Sequence, residues 1–121
     1  MAQLEQSSVG SVNETALDGV LLESPEFRLT PAGRAVASLM IEHISEGNQS
    51  APIKRLELRM PIVALGALAD QCRDVRPGQL IRVTGRLNQK RWIRDGKVRW
   101  GKLELLAQTI QPLVPSGQPS E

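Results

Sequence analysis

Residues 78–110 read GQLIRVTGRLNQKRWIRDGKVRWGKLELLAQTI, and this stretch decides the fold. At its centre Asp95-Gly96 is the preferred dipeptide of a two-residue type I′ turn, because both central positions of that turn need positive φ. A chain that reverses there has its register set: Arg94 faces Lys97, Ile93 faces Val98, Trp92 faces Arg99 and Arg91 faces Trp100. Side chains alternate between the two faces of such a ribbon. One face therefore carries Trp92, Arg94, Lys97 and Arg99, with Lys90 further down the arm. The other carries the Ile93 and Val98 pair, with Arg91 beside Trp100. Toward the base, Ile81, Val83, Gly85 and Leu87 point one way and Arg82, Thr84 and Arg86 the other, which is a strand with one core face. The register cannot run unbroken into Leu103 and Leu105 without turning Arg86 inward, so a bulge is expected near Gly101.

Upstream, Leu17, Gly19 and Leu21 alternate with Asp18 and Val20 as a first strand, in which Gly19 signals a bend or a close backbone neighbour. Pro25 and the Thr30-Pro31-Ala32-Gly33 run mark a loop with a turn. A second strand follows, with Ala35, Ala37, Leu39 and Ile41 on one face. In a third, Leu56, Leu58 and Met60 are expected to face the core and Arg55, Glu57 and Arg59 the solvent. Pro61 is expected to end that strand and open a short helix, since Ile62, Leu65, Leu68, Ala69 and Cys72 recur at helical spacing. The order is three strands, a helix, and two strands joined by a long hairpin. Short bent strands expose their edges unless the sheet closes, so the expected fold is all-β: a five-stranded OB-fold barrel with one short helix. The ordered domain is placed at residues 13–113. Residues 1–12 and 114–121 are too polar or too rich in Pro, Ser and Gly to bury much surface and read as flexible extensions.

Between Arg82 and Lys102 stand eight of the fifteen Lys and Arg residues, with Asp95 the only acid there; the rest of the chain has seven bases against twelve acids. Charge is gathered on the hairpin together with both tryptophans. A cationic strip bearing flat rings suits a polyanion with exposed bases, because phosphates attract the charge and bases stack on indole. Arg94 opposite Lys97 destabilises a free hairpin by a few tenths to about 1 kcal/mol, a repulsion that phosphate relieves. Candidate contacts are Lys90, Arg91, Trp92, Arg94, Lys97, Arg99, Trp100 and Lys102, with Arg55 and Arg59 secondary. Trp92, among cations, is read as the stacking ring; Trp100, on the apolar face, reads more as structural padding. The competing reading is an ordinary solvated hairpin.

His43 is the only histidine and Cys72 the only cysteine, so neither a zinc cluster nor an intrachain disulfide can be assembled. His43 is read as capping a strand. No phosphate-binding Gly loop and no paired carboxylates occur, so a binding module without cofactor or metal is expected, not an enzyme. No window reaches the ~20 apolar residues of a membrane-spanning helix. The lone thiol makes a reducing cytoplasm the expected location.

The run NETALDG (13–19), the stretch LTPAGRAVASLMIEH (29–43), the segment RMPIVALGALAD (59–70) and GQLIRVTGRL (78–87) resemble the bacterial single-stranded DNA-binding protein superfamily. The Met60-Pro61 step and the Glu42-His43 pair look most like its shortened primosomal members. The resemblance implies an OB-fold homodimer, paired through its first strands, that binds single-stranded DNA. It further implies a role beside the primosomal helicase PriA and the protein DnaT in reloading replication at stalled forks. In such proteins basic residues of the last hairpin contact DNA; Arg94 and Lys102 match those positions, and Arg28 matches a basic residue of the first loop. An aromatic of the third strand is replaced here by Glu57. The short stretch after the barrel is expected to favour the accessory role over a full single-stranded DNA-binding protein with its acidic tip. A protein-interaction OB domain is the remaining alternative.

Overall fold

The computed structural model describes residues 10–47, 52 and 54–114. The extensions expected at 1–12 and 114–121 lie almost wholly outside these residues, as does most of the loop after Gly47. Among the described residues six strands form: β1 (Thr15–Leu21), β2 (Glu26–Leu29), β3 (Ala35–Glu46), β4 (Arg55–Leu65), β5 (Leu80–Arg94) and β6 (Lys97–Pro112). A five-residue helix, α1 (Ala67–Gln71), and a 3-10 turn at Cys72–Asp74 fill the gap between β4 and β5.

The sheet closes on itself. β1 pairs antiparallel with β5 from Thr15↔Gly85 to Val20↔Leu80, then reaches β3 at Val20↔Glu42 and Leu21↔Ile41. β3 runs against β4 along its whole length, and β4 joins β6 in parallel at Ile62↔Leu105 and Val63↔Leu106. The ring β1-β5-β6-β4-β3 is the five-stranded barrel expected, with OB topology, and β2 hangs on the outer edge of β3. Closure removes the open edges that five short strands would otherwise present. Gly19 lies where β1 crosses from one neighbour to the other. A Cβ there would stand 2.9 Å from the Glu42 carbonyl oxygen and 3.0 Å from Ile41 Cδ1, so the close backbone neighbour read from the sequence is present.

Leu21, Ile41, Ile62, Ile81, Val83 and Leu105 fill the interior, each fully buried, and Ala69 and Cys72 from the α1 region plug one end. Burying each such aliphatic side chain contributes about 1.5–3 kcal/mol. Desolvation pushes the Cys72 thiol up to about 11, so it stays protonated and donates to the Leu68 carbonyl at 3.4 Å.

Four expectations change. The loop before the second strand contains β2, four exposed residues whose one strand partner among the described residues is β3, which leave no alternation to read. Pro61 does not end the third strand: β4 continues to Leu65, and Ile62 and Ala64 extend the buried alternation begun at Met60. A proline fits there because the second edge of β4 is paired only at Ile62 and Val63, leaving residue 61 without a ladder partner on that side. The helix is consequently confined to 67–71. Leu56 and Leu58, expected in the core, are 44% and 37% exposed, because the β3–β4 ribbon runs past the strands that close the barrel. Finally, His43 lies inside β3 instead of capping it. Its Nδ1 is 2.7 Å from the Asp18 carbonyl oxygen, which can only accept, so Nδ1 donates; in the neutral ring Nε2 then accepts from the Ser45 hydroxyl at 2.7 Å. The imidazole staples β3 to β1.

Candidate nucleic-acid interface

Beyond the barrel β5 and β6 continue as a two-stranded arm, and every residue from Asn88 to Trp100 is exposed. Asp95 (φ 54°) and Gly96 (φ 73°) both take positive φ, as the type I′ turn demands. The pairs Arg94↔Lys97, Ile93↔Val98, Trp92↔Arg99 and Arg91↔Trp100 are those read from the sequence. Trp92, Arg94, Lys97 and Arg99 thus share one face, and Arg91, Ile93, Val98 and Trp100 the other. Below them the register slips between Gln89↔Leu103 and Arg91↔Trp100, so Lys90 opposes both Gly101 and Lys102. This is the bulge expected near Gly101. Gln89 Nε2 donates to the Gly101 carbonyl at 3.0 Å and ties the slip down. A second shift lies between Thr84 and Gly85, and its mark in the sequence is Gly85 itself, where a Cβ would collide with the Leu106 carbonyl.

The bulge seats a ring. Gly101 faces the same side as Trp92, and a Cβ on it would lie 2.7 Å from Cζ3 and 3.2 Å from Cη2 of that indole. The absence of a side chain at 101 therefore lets Trp92 lie across the arm, half exposed at 48%. Trp100, on the opposite face, is 62% exposed and pads little. Asn13 is a further positioning residue that alternation did not reveal. Its side-chain amide accepts from Leu87 N–H and donates to Leu87 C=O, both at 2.9 Å, and so mimics a paired strand at the arm's root.

Charge on the arm is largely uncompensated. Among the described residues Arg86, Arg91, Arg94, Lys97, Arg99 and Lys102 form no ion pair. Two of the eight clustered bases do. Arg82 meets its cross-strand partner Asp18 through two bonds, Nε to Oδ1 at 2.7 Å and Nη2 to Oδ2 at 3.0 Å. That guanidinium holds the Asp18 carboxyl below its ordinary range. Lys90 Nζ lies 3.9 Å from Oε1 of Glu104, a buried carboxylate whose Oε2 also accepts from Asn88 at 3.0 Å. Glu23 and Glu26 join Glu104 around a cleft of about 230 Å³ at the arm's root, in which Lys90 is the only described cation. Three carboxylates against one ammonium give this cleft a negative potential, opposite in sign to that of the arm above it.

The secondary candidates are not brought to the arm. Arg55 pairs with Glu57 at 2.9 Å and Arg59 with Glu42 at 3.2 Å, both on the β3–β4 ribbon. Arg28 sits on β2 across from Val36, exposed and without an ion pair among the described residues. A concavity of about 870 Å³ among the described residues opens at the far end of that ribbon around Ile44, Ser45 and Lys54, and is lined by no arm residue. No described helix is long and apolar enough to cross a membrane.

The fold is shared with known proteins. The single-stranded DNA-binding protein of Thermus thermophilus is 32% identical over 111 residues, which cover 88% of this chain and 41% of that protein. The chain thus spans about two-fifths of that relative's length. The crystal structure of the wild-type single-stranded DNA-binding protein from Thermus aquaticus superposes with a TM-score of 0.72 at 30% identity, over 88% of this chain and 52% of that one. The replication restart protein PriB of Nitrosomonas europaea is 23% identical over 78 residues, 64% of this chain and 72% of that protein. The family described as "Another single-strand binding protein family" matches residues 13–98, from the Asn13 clamp through the first five strands and around the arm's turn, and the chain belongs to it.

Proposed function

We propose that the chain binds single-stranded DNA and does so on the β5–β6 arm. The observation that carries this reading is the face on which Arg94, Lys97 and Arg99, without carboxylate partners among the described residues, surround the indole seated on Gly101. Phosphates neutralise the cations and release condensed counterions, while a base stacks on Trp92. Lys90, Arg91, Lys102 and Trp100 extend this surface, and Arg28 on β2 is a further contact. Arg55 and Arg59, already paired, contribute less.

A finer reading makes the protein a homodimeric accessory of the replication-restart primosome, working beside PriA and DnaT. The likeness to PriB supports it. So does β1, which is paired with β5 from Thr15 but meets β3 only from Val20, so that among the described residues one edge of its first residues is open to a second copy.

The test is the binding of a fluorescent oligo(dT) as salt is raised. Each phosphate contact contributes roughly −0.7 to the slope of log K against log salt, so Arg94→Ala with Lys97→Ala flattens it by about 1.4. Trp92→Ala weakens binding with the slope kept. A slope unchanged by the double substitution would shift the reading to an OB domain that grips a protein partner.

A further inference from the structure

The face of the arm opposite Trp92 has its own composition. Trp100 is 62% exposed, Ile93 67% and Val98 47%, so this side has no protein cover among the described residues. Arg91 lies directly across the ladder from Trp100 and has no carboxylate partner there. Nor is the indole capped: the one described guanidinium that lies over a ring is that of Arg73, 4.5 Å from the centroid of Phe27. A large bare ring next to an unpaired guanidinium repeats the chemistry of the Trp92 face. Residues of this ribbon alternate sides, so the two indoles stand back to back across it, with Trp92 resting on Gly101 and Trp100 projecting free.

We infer that Trp100 and Arg91 form a second nucleobase-binding station, so that one DNA strand uses both faces of the arm and passes around its edge. The inference rests on the reading of the arm as the DNA site and adds a second side to it. Charge complementarity selects the occupant. An apolar protein segment would cover Ile93 and Val98 but leave the Arg91 guanidinium desolvated without an acid, whereas a nucleotide supplies a ring for Trp100 and a phosphate for Arg91. Stacking tolerates any base, since each has a π face, so this station adds affinity and not sequence choice.

The chain has two tryptophans, so single-tryptophan variants separate the stations. Trp92→Phe leaves Trp100 as the sole indole reporter. An oligo(dT) of about 20 nucleotides exceeds the roughly 4–16 covered by one such barrel and is the probe, beside an abasic strand of equal length that offers phosphates without bases. In Trp92→Phe, oligo(dT) quenches Trp100 emission with the same midpoint as anisotropy, and the abasic strand does not. In the otherwise wild-type chain Trp100→Ala weakens oligo(dT) binding by about tenfold while Arg94, Lys97 and Trp92 remain. Binding without quenching overturns the second station and leaves the first intact. So does wild-type affinity in Trp100→Ala, and so does Trp100 burial that grows with protein concentration in the absence of DNA, which would mean that two arms cover each other. Should Trp92→Phe fail to bind, the Trp100→Ala affinity decides alone. Failure of the wild-type chain to bind oligo(dT) removes the DNA reading itself.

Discussion

Gly101→Ala separates the seating of the stacking ring from the charge that surrounds it. The added methyl would lie 2.7 Å from Cζ3 and 3.2 Å from Cη2 of Trp92, and 3.4 Å from Cβ of Lys90. Carbon atoms settle about 3.5–4.0 Å apart, so the indole must withdraw by roughly 1 Å or rotate off the arm. The backbone does not resist the change, because Gly101 is not among the glycines with positive φ. Stability moves little: the stiffer unfolded chain gains about 0.4–1 kcal/mol, and the displaced ring, already half in solvent, loses a similar amount. Binding responds more. A base that stacks on a seated indole is worth about 1–3 kcal/mol, and losing part of that weakens oligo(dT) binding by roughly 3- to 10-fold. The assay is a Trp100→Phe background in which Trp92 alone emits. The expected result is a red-shifted, more readily quenched emission together with the lower affinity, at an unchanged salt slope. Unchanged emission and affinity would refute the argument that the bulge exists to seat the ring.

Other outcomes follow from the same geometry. Arg94→Ala with Lys97→Ala removes a cross-strand repulsion, so urea unfolding should show a stability equal to or up to about 1 kcal/mol above wild type, opposite in sign to its effect on binding. Asp18→Asn removes a carboxyl whose folded pKa lies below its ordinary 3.8 because Arg82 bonds it. A depressed folded pKa contributes stability above the unfolded value that is lost as pH falls through the folded one, so the wild-type chain should lose stability below about pH 3.8 more steeply than the variant in acid melts. Glu104→Gln frees Lys90 while keeping an acceptor for Asn88, and oligo(dT) binding should strengthen, with the salt slope steeper by about 0.7.

Legibility in the sequence followed the range of the interactions. The arm was readable residue by residue because the Asp95-Gly96 turn is local and fixes every pair above the bulge. Closure followed from the number of short strands. Pro61 misled, because a proline stops a strand only where its missing N–H is needed, and that depends on whether β6 reaches residue 61, a fact about another part of the chain. Leu56 and Leu58 misled likewise: alternation gives a face, but a face is core only where something packs on it. Among the cations, the sequence could not say which were spent. Arg82 finds Asp18 from 64 residues away and Arg59 finds Glu42 from 17, both across strand registers invisible before the barrel is assembled. Gly101 was expected at a bulge, but its service to Trp92 needs the direction in which the bulge faces.

The most direct measurement is a nuclear magnetic resonance titration of the wild-type chain with oligo(dT), following the two indole N–H signals and the arginine Nε–H signals. Trp92, Trp100, Arg91, Arg94 and Arg99 are expected to shift together, while Arg82 and Arg59, held by Asp18 and Glu42, stay in place. Shifts confined to the β3–β4 ribbon, with the arm unmoved at saturation, would contradict the reading of the arm as the DNA site.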